Sequence, residues 1–333
     1  MNIGIIGTGV MGAEHARLLR HEVSGAGVAA VYDVDQARAA SVAAATGARA
    51  LADPHAVIGD PAVDSVLIAS NDASHAEFVL ACIQAGKPVL CEKPLAPEVP
   101  DCERIIAAEV AVGRSLVTVG FMRRFDPGYQ ALKAGLTAGD LGAALMLHCV
   151  HRNQTAPVGL PSSALITGSA VHEFDASRWL LDDEFTRVTA HRSRSASQAG
   201  TTRDPLFLVV ETRSGTLIDI EVFVNAGYGY EVRCELVGEQ GTLVLDAPPP
   251  TVRRGANQVA RGLPVDWRPR FAEAYRRELQ AWIDGLSTGA VDTDLATAWD
   301  GYCATVLAQA GVAALDVDGP IEISLMDKPE LYQ

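Results

Sequence analysis

Three glycines set the terms for the N-terminal part of this chain. The run Gly7-Thr8-Gly9-Val10-Met11-Gly12 follows a short apolar stretch at residues 3–6 and opens a helical pattern carrying Leu18 and Leu19. Strand, glycine turn and helix in that order leave few folds open. Gly7 permits the tight turn, Gly9 lets backbone approach a pyrophosphate, and Gly12 lets the helix pack on the strand. Free N–H groups and the macrodipole at the start of such a helix favour phosphate, which makes Gly7, Gly9, Val10, Met11 and Gly12 candidate cofactor-binding residues. A second strand at 28–32 leads into Asp33, about 20 residues beyond the last motif glycine, the place of an acidic residue that binds a ribose 2′-hydroxyl. Asp33 is expected to accept from the diol of NAD and to repel the 2′-phosphate of NADP; the alternative is a loop aspartate capping the helix that begins near Asp35.

Strand and helix patterns keep alternating through the first third of the chain, the signature of an α/β, doubly wound parallel sheet. A strand at 65–69 exits through Ser70-Asn71-Asp72, and Ser74 is the expected N-cap of a helix ending at Gly86. Ser70 and Asn71 should face the cofactor, while His75, in the first helical turn, either touches its nicotinamide side or is structural. The next strand runs Val89-Leu90-Cys91 straight into Glu92-Lys93-Pro94. That places the Lys93 ammonium, with Glu92 beside it, at the carboxyl edge where open α/β sheets bind ligands. A helix over 98–112 and a last strand at 116–119 complete the pattern.

Composition excludes several classes of partner. A net charge of −14 and a pI near 5.0 argue against nucleic acid, whose binding needs clustered Lys and Arg. No 18-residue uncharged apolar segment occurs and no basic leader precedes the first apolar run, so neither membrane insertion nor export is expected and the location should be cytoplasmic. The six cysteines lack CxxC spacing and sit mostly in apolar segments, which predicts reduced core residues and no metal site.

Beyond residue 125 the pattern changes. Asp126-Pro127 forms an N-cap and first-turn pair for a helix to about 136. Strand-like stretches at 144–150, 187–193, 206–213, 216–224, 231–237 and 242–245 follow, predicting an α+β domain with an open, largely antiparallel sheet. An irregular stretch from Pro248-Pro249-Pro250 to about Pro264 precedes helices near 270–286 and 294–315. A helix inserted at about 164–181 carries the second chemical constellation. At 100° per residue Gly168, His172, Asp175 and Trp179 share one polar face, while Val171, Phe174 and Leu181 form a packed stripe. His172 can take a proton near neutral pH, and Asp175, one turn along, can orient it or a substrate hydroxyl. His151 and Asn153 alternate on a strand exit and Arg123 follows the last strand of the first domain. Tyr228, Tyr230 and Tyr275 offer phenols, with Tyr228 and Tyr230 equal candidates for the inward position.

Taken in order, Gly7 to Gly12, Asp72-Ala73-Ser74-His75-Ala76, Gly86-Lys87-Pro88, Glu92-Lys93-Pro94 and Val119-Gly120-Phe121-Met122-Arg123-Arg124-Phe125 resemble the Gfo/Idh/MocA family of oxidoreductases. His151-Arg152-Asn153, Ala170-Val171-His172-Glu173-Phe174-Asp175 and Tyr228-Gly229-Tyr230-Glu231 are similar to its inositol dehydrogenase branch. The resemblance implies a Rossmann domain over 1–122 that binds NAD, a domain over 123–333 for substrate binding and oligomerisation, and a homotetramer joined through the open sheet. It implies oxidation of a secondary hydroxyl of a cyclitol to the ketone, with His172 as general base and Lys93 on the reacting oxygen. His151, Asn153 and Tyr275 match positions that face the polyol in that branch; beside the resemblance, Arg123 is a candidate for both polyol and cofactor, and Tyr230, or Tyr228 in its place, for the polyol. One position departs: the family usually carries Asp one turn before the histidine, and here it is Gly168. Either Asp175 takes over that role or the space admits another substrate, a pyranose sugar or glycoside; NAD-dependent glycosidase chemistry and a non-catalytic NAD-binding sensor are the remaining alternatives.

Overall fold

Strand β1 (Asn2–Ile6) buries Ile3, Ile5 and Ile6 completely, and the chain winds outward from it in both directions. The computed structural model describes residues 1–245, 251–290 and 292–333. After β1 come α1 (Val10–His21), β2 (Gly27–Tyr32), α2 (Gln36–Thr46), β3 (Arg49–Ala50), α3 (Pro54–Gly59), β4 (Ser65–Ile68), α4 (His75–Gln84), β5 (Val89–Glu92), α5 (Val99–Val112) and β6 (Val117–Gly120). Then follow α6 (Pro127–Ala138), β7 (Ala144–Arg152), α7 (Val171–Leu181), β8 (Phe185–Arg192), β9 (Leu206–Thr212), β10 (Leu217–Phe223), β11 (Glu231–Gly238), β12 (Thr242–Leu245), β13 (Val252–Gly255), β14 (Gln258–Arg261), α8 (Trp267–Thr288), β15 (Ala296–Thr297), α9 (Ala298–Ala314) and β16 (Ile321–Glu322).

These elements form two units, one of Met1–Phe125, Glu273–Thr305 and Met326–Gln333, the other of Asp126–Ala272 and Val306–Leu325. The first is built on a sheet ordered β15-β6-β5-β4-β1-β2-β3. Its β1 to β6 ladders are parallel, and the short β15 closes the edge antiparallel to β6, Ala296 opposite Val119. Buried strands of four or five apolar residues are what helices on both faces of a parallel sheet require. Asp35 caps α2 through the amides of Ala37 and Arg38. The cap expected of Ser74 is absent: a short 3₁₀ turn, Asp72–Ser74, comes first, its amide at Ala73 is met by Asn71, and the Ser74 hydroxyl bonds the Asn71 carbonyl and the Ser70 hydroxyl instead. At the far end of the unit Glu109 of α5 is buried and accepts from the amides of Leu116 and Val117 and from the Tyr332 hydroxyl at 2.6 Å. Burial still pushes its carboxyl above the ordinary value.

The second unit is built on a sheet ordered β12-β11-β7-β10-β9-β8-β16. It is largely antiparallel, as expected, and its one parallel pair among the described residues is β7 with β10, His151 opposite Val222. The crossover between them contains α7, and a parallel pair needs such a connection. Ile218, Ile220 and Val222 of β10 are buried while Leu217, Asp219 and Glu221 are not, the alternation of a sheet covered on one face. Asp126 caps α6 as expected, accepting from Gly128 and Tyr129. Pro248, Pro249 and Pro250 lie outside the described residues. The expected irregularity up to Pro264 is in part a hairpin, β13 to β14, turning through Ala256 and Asn257, both at positive φ.

Candidate active site

In the first unit the glycine turn lies against the exit of β4. A Cβ on Gly7, whose φ is +91°, would meet the backbone of Ala69 and Ser70 at 2.5 Å, and one on Gly12 would meet the Gly7 carbonyl at 1.9 Å. Both positions therefore exclude any side chain. Gly9 differs, since a Cβ there would meet nothing within 4 Å; it fronts a cleft of about 430 Å³ lined by Gly7, Asp33, Arg38, Ser70, Asn71 and Phe78 among others. No side chain caps the first turn of α1, so its N–H groups keep their capacity for an anion. Val10, the first residue of α1, is exposed.

Asp33 directly follows β2 in this cleft and is 4% exposed. Its Oδ2 accepts from the Thr8 amide at 2.7 Å and the Thr8 hydroxyl at 3.0 Å. Its Oδ1 accepts from the Asp35 amide at 2.8 Å and from Arg38 Nη2 at 2.9 Å. Burial works to raise this carboxyl, but the Arg38 guanidinium, the two amides and the Thr8 hydroxyl outweigh it and hold it below the ordinary range.

The Glu92-Lys93-Pro94 turn stands at the carboxyl end of β5, with a cis peptide between Lys93 and Pro94. Glu92 is buried and its Oε1 lies 2.7 Å from Nε2 of His15, a fully buried residue of α1. The other carboxylate oxygen accepts from the Lys93 amide at 3.2 Å. Burial tends to raise the Glu92 carboxyl; the hydrogen bond and charge of His15 and the charge of Lys93 bring it below its ordinary value. His75, 1% exposed, sits with Nδ1 at 2.7 Å from the Pro94 carbonyl and Nε2 at 3.3 Å from that of Ser70, so it ties the lysine turn to the β4 exit. Arg123 is buried in a 3₁₀ turn after β6, and its neighbour Arg124 pairs with Asp300 at 3.2 Å. Tyr275 is buried edge-on against the His15 ring, centroids 5.7 Å apart.

In the second unit the inserted helix is not the regular cylinder expected. Leu165–Ala170 is π-helical, and α7 proper starts at Val171. A wider turn shifts the phase, so Gly168 does not stand on the line that a 100° step draws through His172, Asp175 and Trp179. Nor does α7 keep a polar face: Val171 through Ser177 are all buried, and Leu181, expected in the packed stripe, is partly exposed. Gly168 is exposed, and a Cβ there would meet nothing within 4 Å.

His151, His172 and Tyr230 come together. The His151 ring is 6.4 Å from that of His172 and 5.9 Å from that of Tyr230, and all three residues are buried. Nδ1 of His151 lies 3.2 Å from Oε2 of Glu173, which is 1% exposed. Asp175 is buried one turn beyond His172. Asn153 follows β7, pairs its backbone with Phe223 and Ala226, and keeps a buried Oδ1 without a hydrogen-bond partner among the described residues. The two tyrosines differ in placement: Tyr230 is 3% exposed beside His151, whereas Tyr228 is 49% exposed and bonds Arg152 and Glu231.

Two partners went unread in the sequence, His15 and Glu173. His15 had a signal, since it falls with Gly12, Ala16 and Leu19 on the core face of α1. Glu173, an acidic residue in mid-helix beside His172, had none apart from its position.

Family models account for most of the chain. Residues 1–121 match the NAD-binding Rossmann fold of the Gfo/Idh/MocA oxidoreductases, and residues 133–323 match their C-terminal alpha/beta domain. The chain belongs to this family. Within it, the sequence is 51% identical to inositol 2-dehydrogenase 1 of Saccharopolyspora erythraea, covering 100% of this chain and 99% of that protein. It is 44% identical to an inositol 2-dehydrogenase of Pseudomonas fluorescens at the same coverage. Among solved structures, the myo-inositol dehydrogenase of Lactobacillus casei in complex with NAD(H) and myo-inositol matches with a TM-score of 0.96 and 32% identity over 100% of this chain and 99% of that one.

Proposed function

We propose that this family member is an NAD-dependent dehydrogenase that oxidises a secondary hydroxyl of a cyclitol, of the myo-inositol type, to the ketone. The observation that carries the reading is the cleft framed by Gly7, Gly9 and Asp33 in a chain whose whole length is similar to inositol 2-dehydrogenases. The cleft fits NAD on its own chemistry: side chains are excluded at Gly7 and Gly12, open space faces Gly9, and a buried, ionised carboxylate stands at the end of β2. The amides around Gly9, Val10, Met11 and Gly12 would hold the pyrophosphate and Asp33 the adenosine ribose. Ser70, Asn71, Glu92, Lys93 and Arg123 would line the remainder, with His75 fixing the loops that carry Ser70 and Lys93. Functionally we divide the chain at residues 1–122 for cofactor and 123–333 for substrate and assembly.

Bound NAD supplies the hydride acceptor. The protein's task is to hold the polyol and handle one proton. His172 takes the hydroxyl proton, and the Lys93 ammonium stabilises the negative charge that grows on that oxygen. Asp175, one turn from His172 on α7, orients the imidazole. His151, Asn153, Tyr230 and Tyr275 supply the hydrogen bonds a polyhydroxyl ring demands, and the buried Oδ1 of Asn153 supports that role. The open space at Gly168 favours a second reading, a pyranose or glycoside dehydrogenase using the same machinery. A homotetramer in the cytoplasm is part of the proposal. Phe207 and Leu217, exposed on strands β9 and β10, support assembly through the sheet, and six free, buried cysteines suit a reducing compartment.

The test is NADH formation, followed by absorbance, with myo-, scyllo- and chiro-inositol beside glucose, xylose and glucosides. Turnover highest on an inositol is the expected result. Turnover confined to a sugar would replace it with the second reading, and bound NAD with no turnover on any compound would overturn both.

A further inference from the structure

The hydrogen bonds of Asp33 account for its whole carboxylate. An ionised carboxylate has about four acceptor positions, and Asp33 fills them with the Thr8 amide, the Thr8 hydroxyl, the Asp35 amide and Arg38. A ribose diol that donates to Asp33 must replace one of these. The two amides belong to backbone, that of Thr8 in the glycine turn after β1 and that of Asp35 at the N-cap of α2, and the Thr8 hydroxyl is 2% exposed. Arg38 is the exchangeable partner. It reaches across from the first turn of α2, makes a single contact with Oδ1, and its side chain is 53% exposed at the rim of the same cleft. Asp35, its other acidic neighbour, is 3.7 Å away and itself half exposed, so a guanidinium released from Asp33 keeps a tether on that side of the pocket.

From this we infer that Arg38 is a specificity-determining residue: it yields Asp33 to the diol of NAD, and it offers the guanidinium that a 2′-phosphate would pair with, giving NADP(H) a weaker second claim on the same cleft. The chemistry is that of any arginine placed beside the 2′ position. Its planar fork matches phosphate, and the charge of the phosphate, about −1.5 to −2 near neutral pH, is met at short range. Asp33 alone would exclude such a group by repulsion. With Arg38 beside it the two charges offset one another, so Asp33 retains the preference for NAD while the exclusion of NADP becomes incomplete.

The inference rests on the NAD reading above, and the experiment separates the two. NADH and NADPH are titrated into the full-length chain by fluorescence, with 2′,5′-ADP and 5′-ADP in parallel by calorimetry, for the wild type, Arg38→Ala and Arg38→Lys. NADH should bind the wild type more tightly than NADPH, with both measurable. Arg38→Ala should weaken NADPH and 2′,5′-ADP by about tenfold or more, leave NADH within about threefold or tighten it, and Arg38→Lys should recover part of the loss. Parallel changes for both dinucleotides, an unchanged NADPH affinity, or a wild type that does not bind NADPH would each overturn the role of Arg38. A wild type that does not bind NADH would overturn the NAD reading itself and the inference with it.

Discussion

Each unit contains a buried histidine–glutamate pair, His15 with Glu92 in the first and His151 with Glu173 in the second, and the two are built to different tolerances. The first is short at 2.7 Å, completely enclosed on the histidine side, and its carboxylate also accepts the amide of the lysine proposed to stabilise the alkoxide. The second is longer at 3.2 Å, and its histidine is one of the residues proposed to touch the polyol. In the first unit the pair fixes the backbone turn that carries the proposed catalytic lysine; in the second one member is itself a proposed contact. A polar pair sealed in the interior is unforgiving of a lost partner, because the group left behind remains desolvated. The prominence of a residue in the reaction and its importance to the fold are therefore expected to separate along this comparison.

The largest effect falls on neither pair but on what the first one holds. Lys93→Ala should lower turnover by about a thousandfold or more, within the range for proton handling and charge stabilisation in a transition state, while an NADH titration shows binding retained. An active variant would detach Glu92 and His15 from catalysis altogether. Next, His15→Ala should lower stability by about 3 kcal/mol or more by stranding Glu92, seen as a drop in thermal midpoint; a midpoint unchanged from the wild type would make the pair incidental. Glu173→Gln keeps a hydrogen-bond acceptor for His151 and removes the charge, so a smaller loss is expected, about a tenfold rise in the KM for inositol with a near-native melting temperature. A collapse in stability as large as that of His15→Ala would erase the distinction between the two units.

The smallest effect is on pH. Asp33 and Glu92 have folded values below their ordinary 3.8 and 4.5. Each contributes stability that is complete above the ordinary value and lost as pH falls through the depressed one. Glu109 is displaced upward from 4.5, so its contribution has the opposite sign and fades as pH rises through its raised value. Melting curves between about pH 5 and about pH 3 should therefore show a declining midpoint whose slope is reduced in Asp33→Asn. An identical slope in that variant would deny Asp33 its share.

The first unit was the more legible of the two in the sequence, and the reason is geometric. Gly7 and Gly12 leave no room for any side chain, and Asp33 and Lys93 lie where strands end, so spacing along the chain translates directly into position. The short buried strands announced themselves as apolar runs bounded by turns. What spacing could not supply was partnership at long range: His15 and Glu92 are 77 residues apart, and β15 joins the sheet from a segment that reads as part of a helix. In the second unit the strands were legible by alternation, but helical projection failed at Leu165–Ala170, where a π turn broke the 3.6 period on which the reading depended. Tyr228 and Tyr230 differ by two positions and carry the same side chain, so only packing could tell them apart.

The interleaving of the two units bears on how the protein comes into being. Residues 1–125 leave the ribosome long before Glu273–Thr305, which the first unit needs for β15 and for Tyr275 against His15. Until that segment arrives, β6 has an unprotected edge and the buried glutamate–histidine pair lacks its aromatic cover. Chains emerge at roughly 5–20 residues per second, so a nascent chain carries this unfinished sheet edge for about ten seconds or more while the second unit's strands are being made. Synthesis rate and chaperone cover over that interval therefore bear on how much of the protein reaches its native state.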